Sequence, residues 1–408
     1  MSSEPPVLAD VVGLLDTDYP PDHAESWDAV GTVCGDPAQP VRKVLFAIDA
    51  TDAVVGEALE WGADLLVAHH PLLLRGVHSV AATTAKGAVV HRLIKGGCAL
   101  HTIHTNADAA PGGVPESLAE AVGLVDLVPL APLPLAELDK HVVFVPVAGA
   151  QALIDALAAA GAGELGAYRR CAWTSTGTGT FLPGPGADPA IGQVGVVAEV
   201  GETRVEMIAQ RAVRAQVVAA MRAAHPYEAP AFVVLELAPI PGPTGHGRVG
   251  DLPLPMTLRA FAEQVAAALP PTPQGVRVAG DLDAEVSRVA VVGGSGDSFF
   301  DAVRASGADV YLTGDLRHHP ALELRERAGH EAAAAGRPRT DGRPFLVDVA
   351  HSAGEWPWLQ RAATRLAAQL ADQSGATVVT RVSGLRTDPW TARIASAESD
   401  NALGGTRP

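Results

Sequence analysis

The chain has 408 residues, of which 48% are hydrophobic and 19% charged, with a formal net charge of −16. That length exceeds one compact core and implies two or three domains, while the composition excludes a disordered chain. The negative charge excludes a non-specific nucleic-acid or anionic-membrane surface, because a polyanion would be repelled.

The opening MSSEPPVLADVVG lacks the basic flank and apolar stretch of a signal peptide. No run approaches the roughly 18 apolar residues that span a bilayer. Cys34, Cys98 and Cys171 are odd in number and far apart, with no CxxC pair, so neither a disulfide framework nor a thiolate zinc knuckle is supported. A cytoplasmic protein is expected.

KVLFAID (43–49) and ADLLVAHH (63–70) read as strands joined by an amphipathic helix, AVVGEALEWG, and CALHTIHT (98–105) as a third strand. This β-α-β rhythm implies an α/β fold with a mostly parallel sheet covered on both faces. A Pro-rich linker, VPLAPLPLAE, then opens a different unit, closed by APIPGPTGHG. Inside it, HVVFVPVA, the helix AQALIDALAAAG, apolar runs near 195–200 and 203–208, the helix AVRAQVVAAMRAA and AFVVLEL suggest a β-α-β-β-α-β sandwich.

The first rhythm then returns. RVAVVGG (288–294) is a strand, DSFFDAVRASG a helix, and ADVYLTGD (308–315) and PFLVDVAH (344–351) are strands. Nineteen residues separate Lys43 from the triplet starting at Gly62, and 19 separate Arg288 from the same triplet starting at Gly307. His104 precedes Asp108 by four residues, as His351 precedes Glu355. Residues 1–132 and 245–385 therefore read as two related halves, 138–240 as an inserted domain, and 386–408 as a flexible tail.

Polar residues gather at the carboxyl ends of four of these strands: His69 with His70, His104 with Asp108, Asp315 with His318 and His319, and His351 with Glu355. Parallel sheets place ligands at that edge. Imidazole and carboxylate donors suit zinc, manganese, iron, nickel or cobalt, and a glutamate can bridge two ions. Gly293-Gly294-Ser295-Gly296 reads as a tight strand-to-helix turn rather than a phosphate cradle, and no GxxxxGK[ST] or GxSxG is present. His225-Pro226-Tyr227-Glu228 reads as a helix-ending turn. His104, Asp315 and His319 are candidates for proton transfer or ligand orientation.

SWDAVG (26–31), ADLLVAHHPLLLRGV (63–77), HTNADAAPGGV (104–114), GGSGDSFFDAVRASGADVYLTGDLRHHPAL (293–322) and DVAHSAGEW (348–356), with HPYEAPA (225–231) in the insert, resemble the NIF-three-like dinuclear metal centre family, often labelled GTP cyclohydrolase 1 type 2 homologue. The resemblance covers about residues 8–385. It implies two divalent metal ions per chain held by His69, His70, Asp108, His351 and Glu355, with Glu355 touching both. Where the family pattern has an aromatic residue after the late histidine, this chain has Ser352. The resemblance also implies a toroidal homohexamer with its metal sites facing an internal cavity, and a ferredoxin-like insert of the PII/CutA type. The expected function is a metal-dependent hydrolase acting on a nucleotide or phosphoester. The alternative is a non-catalytic metal-binding or regulatory ring.

Overall fold

A computed structural model describes residues 4–374 and 378–394. The chain divides into two compact units: one combines the residues up to Leu133 with those from Pro243 onward, and the other is Pro134–Gly242. No helix among the described residues is long and apolar enough to cross a membrane.

The first unit holds two sheets. One runs in the order Gly31–Cys34, Ala99–Thr102, Leu65–Ala68, Lys43–Ala47, Val379–Val382. Its last four strands are parallel and the first is antiparallel. Leu65–Ala68 and Ala99–Thr102 are buried at every position, as strands covered on both faces must be. The second sheet runs Arg277–Ala279, Phe345–Val349, Val310–Gly314, Glu285–Ser295, Pro241–Thr257, Val125–Pro134. Its Phe345–Val349, Val310–Gly314 and Glu285–Ser295 strands are parallel, in the same spatial order as their counterparts in the first sheet.

The repeated Gly-Ala-Asp triplet does the same work in both sheets. Gly62 and Gly307 end their helices in the left-handed region, at φ 73° and 70°, where glycine is free of Cβ strain. Asp64 Oδ2 accepts the backbone N–H groups of Arg42 and Lys43 at 2.7 and 2.9 Å. Asp309 Oδ2 accepts those of Ser287 and Arg288 at 2.8 and 3.0 Å. Each carboxylate thus clamps the start of the preceding strand, which explains the shared 19-residue spacing.

Helices are exchanged between the sheets. Val114–Ala121 follows the first sheet's Ala99–Thr102, yet Leu118 and Ala119 pack with Val289 and Val291 of the second. His351–Ser374 follows the second sheet's Phe345–Val349, yet Trp358, Leu359, Ala362 and Leu366 pack against Val44, Phe46, Leu65 and Val67 of the first. The chain then adds Val379–Val382 to the first sheet, so the expected second half of 245–385 supplies a strand to the other sheet. His351, read as the last residue of a strand, is instead the first of this helix. Beyond it, Thr387 Oγ1 donates to Asp49 Oδ2 at 2.5 Å; of the expected tail, 395–408 lie outside the described residues.

The Pro134–Gly242 unit is an antiparallel sheet in the order Trp173–Phe181, Ala198–Gln210, Leu138–Pro146, Phe232–Glu236. Its helices Ala150–Ala159 and Arg214–Ala224 bury Leu153, Leu157, Val217 and Met221 against Val143, Val145, Val205 and Met207. The apolar runs near 195–200 and 203–208 do not form two strands; 198–210 is one long strand. The remaining strand, Trp173–Phe181, was hidden in sequence because WTSTGTGTF carries no apolar alternation.

Candidate metal centre

The polar strand ends meet where the carboxyl edges of the two sheets of the first unit face each other. His69 and His70 follow Leu65–Ala68, and their N–H groups continue the ladder onto Ala47 O and Ile48 O. The chain turns here, so both rings reach one place, with centroids 5.1 Å apart. His104 follows Ala99–Thr102 and precedes the short helix Thr105–Ala109, which carries Asp108. From the second sheet, His351 and Glu355 lie one turn apart on the same helix face. His70 Nε2 and His351 Nε2 are 3.2 Å apart. Glu355 Oε1 lies 3.4 Å from His69 Nε2 and 3.0 Å from His351 Nε2, while Oε2 is 3.1 Å from His70 Nε2.

Every imidazole in this cluster is held through Nδ1. His70 Nδ1 meets Asp49 Oδ1 at 2.7 Å, His351 Nδ1 meets Asp315 Oδ2 at 2.8 Å, and His104 Nδ1 meets Asp28 Oδ1 at 2.9 Å. His69 Nδ1 meets the carbonyl oxygen of Ile103 at 2.9 Å. Carboxylates and carbonyls only accept, so each Nδ1 carries a proton, and the Nε2 atoms of His69, His70 and His351 face the centre. This is how histidine ligands of metal sites are oriented.

The electrostatics fit the same use. Burial depresses His70, but the Glu355 charge and the Asp49 bond outweigh it and push its pKa to about 10. His351 is likewise depressed by burial, then driven up to about 11 by Glu355 and Asp315. Burial opposes ionisation of Glu355, yet the charges of His70, His351 and His69 hold its carboxyl well below the usual range. Asp108 is raised to about 7 by burial and by the Glu355 charge. Protons on His70 and His351 therefore stand where a cation's charge would act.

A divalent ion fits these residues. His69 Nε2 and Asp108 Oδ1 are buried with no hydrogen-bond partner among the described residues, a costly state that a cation would relieve. Two triples bring ligand atoms within 4.8 Å of one another: His69, His70 and His104, and His70, His351 and Glu355. Asp108 joins neither triple but is coupled to Glu355, His104, His70 and His351 through charge. The sequence profile described as Duf34/NIF3 (NGG1p interacting factor 3) matches residues 7–389.

The chain belongs to the DUF34/NIF3 family.

Relatives agree over nearly the whole length. Proteins named GTP cyclohydrolase 1 type 2 homolog from Mycobacterium tuberculosis and Streptomyces coelicolor are 51% and 38% identical to it. The first match covers 94% of this chain and 96% of the relative, and the second 98% and 99%. The crystal structure of a Bacillus cereus protein related to NIF3 superposes with a TM-score of 0.62 at 37% identity, covering 95% of this chain and all of that one (100%). A Staphylococcus aureus crystal structure gives 0.73 at 28% identity, covering 95% and 99%.

Against this DUF34/NIF3 fold, the expected site residues separate into groups. His69, His70, His351 and Glu355 converge, His104 joins them, and Asp108 is coupled to them through charge. Asp315 orients His351. His319 does neither: it is exposed at the start of the helix His318–Ala334, with its ring against His318. Asp28 and Asp49 went unnoticed as orienting groups. Asp49 lies just past a strand, beside the others in space, while nothing local marks Asp28. Gly294 was read only as part of a turn. At φ 67° it lies against the centre, where a Cβ would come within 2.6 Å of Glu355 Oε1 and 3.0 Å of His351 Nε2.

Asp315 has a φ of 52°, a conformation that asparagine also tolerates. Asp315→Asn should keep the fold and weaken metal binding by about 10- to 100-fold, the usual cost of losing a partner that orients a ligand. A chelator-competition titration measures this. An unchanged affinity would show that Asp315 does not orient His351.

Proposed function

We propose that this chain binds two divalent metal ions through His69, His70, Asp108, His351 and Glu355, and uses them to hydrolyse a nucleotide or another phosphoester. The observation that carries this reading is the set of imidazoles anchored at Nδ1 around buried carboxylate and imidazole atoms without partners. Ions bound there would polarise a substrate oxygen and lower the pKa of a coordinated water. The chain's own residues supply orientation and proton handling. Asp49 and Asp315 fix the His70 and His351 rings, and the fully buried Trp358 shields His69 from solvent. His104, held by Asp28 at Nδ1, is placed to use its Nε2 to take a proton from the nucleophile or deliver one to a leaving group. The relatives' name, GTP cyclohydrolase 1 type 2 homolog, concerns a chemistry that also needs an activated water.

The assembly is proposed to be a homohexameric ring with the centres facing its internal cavity. The unit Pro134–Gly242 is proposed to be a ferredoxin-like insert of the PII/CutA type between two repeated halves. Its β-α-β-β-α-β element order and all-antiparallel sheet support this. The location is proposed to be cytoplasmic, which the three unpaired cysteines of the chain suit.

A screen of the metal-loaded protein against nucleotides and phosphoesters tests the catalytic claim. Hydrolysis should depend on added Mn²⁺, Zn²⁺ or Fe²⁺ and vanish in His70→Ala. Activity that survives this substitution would come from another site. One observation favours a second reading, in which the chain is a non-catalytic regulatory ring. The Pro134–Gly242 unit contains a cavity of about 470 Å³ walled by Phe144, Phe181, Tyr227 and Glu202, large enough for a small effector. Absence of turnover across the screen, with both metals bound, would support that reading.

A further inference from the structure

We infer that Trp27 is a stacking platform on which a planar heteroaromatic ring of the substrate lies while its phosphoester reaches the metal centre. This rests on the reading of the centre given above, and it specifies a nucleotide-class substrate rather than a phosphoester of any kind.

The centre is closed on one side and open on the other. The side chains of His69 and Glu355 are 1% and 4% exposed, whereas His104, His70 and His351 are 15%, 23% and 34% exposed. Substrate must therefore approach over His104, His70 and His351. Trp27 packs edge-on against His104, one of these exposed histidines: its ring centroid is 6.0 Å from that of His104, the planes meet at 80°, and the residue is 58% exposed. Of the tryptophans, only Trp27 and Trp358 have ring contacts with the centre's histidines among the described residues. Trp358 is a core residue; Trp27 contributes little burial to the fold.

The loop that carries Trp27 is nevertheless pinned on both sides. Thr105 Oγ1 accepts the Glu25 N–H at 2.9 Å and donates to Asp28 Oδ2 at 2.5 Å. Asp28 Oδ2 also accepts the Thr105 N–H at 3.1 Å, and Asp28 Oδ1 holds His104. The same carboxylate thus sets both the His104 ring and the residue next to the indole. A rigidly presented aromatic surface left in water and registered to a metal ligand is a ready platform for a flat ring, since stacking needs no side-chain ordering. The indole is one ring contact from His104, 6.0 Å between centroids, and His104 is 5.6 Å from His70, so a base on the indole needs only a short linker such as a pentose to bring its phosphate toward the centre. Every base offers a π-face, so the platform selects for an aromatic ring without choosing among bases.

Titration of the metal-loaded full chain with adenosine and guanosine 5′-monophosphates, and separately with ribose 5-phosphate, tests this. Trp27→Ala should weaken binding of both nucleotides about 5- to 140-fold, the effect of losing one base-stacking contact. It should leave ribose 5-phosphate binding, metal content and oligomer size unchanged, and Trp27→Phe should retain most of the nucleotide affinity. The inference is overturned if the parent binds neither nucleotide, if Trp27→Ala binds them as the parent does, or if ribose 5-phosphate binding falls equally. It is also overturned if Trp27→Ala alters oligomer size, which would make the indole an interface residue. Nucleotide binding through Trp27, with no turnover across the screen of nucleotides and phosphoesters, would leave the inference standing and remove the hydrolase reading instead.

Discussion

Glu355→Ala is expected to take bound metal from the proposed two ions per chain toward zero, because a bridging carboxylate would serve both positions. Its Oε1 faces His69 and His351 while its Oε2 faces His70, so one side chain addresses donors from both sheets. It is also the buried negative charge around which the three imidazoles gather. Its removal leaves clustered nitrogen donors with little charge to hold a dication. Asp108→Ala should behave differently. Asp108 lies outside both close triples and should mainly empty one position. Elemental analysis of protein purified without an affinity tag reads both outcomes. Undiminished metal in the Glu355 variant would remove the bridging assignment, and equal losses in the two variants would remove the distinction between them.

Trp358→Ala should destabilise the first unit by about 3–5 kcal/mol, the range for emptying a large aromatic site in a core. Trp358 is fully buried on the His351–Ser374 helix, with its ring 5.6 Å from Tyr19 and 5.3 Å from His69. It joins a helix that comes from the second sheet to the core of the first, and it forms the closed wall behind His69. The resulting void should lower the denaturant midpoint and loosen His69, so metal affinity should fall together with stability. Trp358→Phe, which keeps much of the apolar volume, should cost less. A loss below 1 kcal/mol for the alanine variant would mean that the helix is held by other contacts.

Much of this protein was legible before any coordinate. His69 and His70 directly follow a strand, and Asp108, His351 and Glu355 lie on helices that begin just past strand ends; parallel strands stop at one edge, and apolar runs locate those ends. The Gly-Ala-Asp spacing was visible because a helix stop and a strand clamp are local devices, set by one left-handed residue and one carboxylate. Local signals failed where partners are distant. Trp173–Phe181 is a strand because Ala198–Gln210 pairs with it, not because its own residues alternate.

Asp315, which orients His351 across 36 residues of chain, stands at a strand end and was a candidate for ligand orientation from sequence, whereas Asp28 orients His104 across 76, so no spacing marks its role. The exchange of helices between sheets was equally hidden. An amphipathic helix needs an apolar partner, but its sequence does not say which sheet provides one. That exchange brings His351 and Glu355 against His69 and His70. Sequence therefore determined which side chains could bind a metal and at which edges they stand. Only tertiary packing decided that two edges face each other, because burial of apolar faces is non-directional and is settled by the whole core at once.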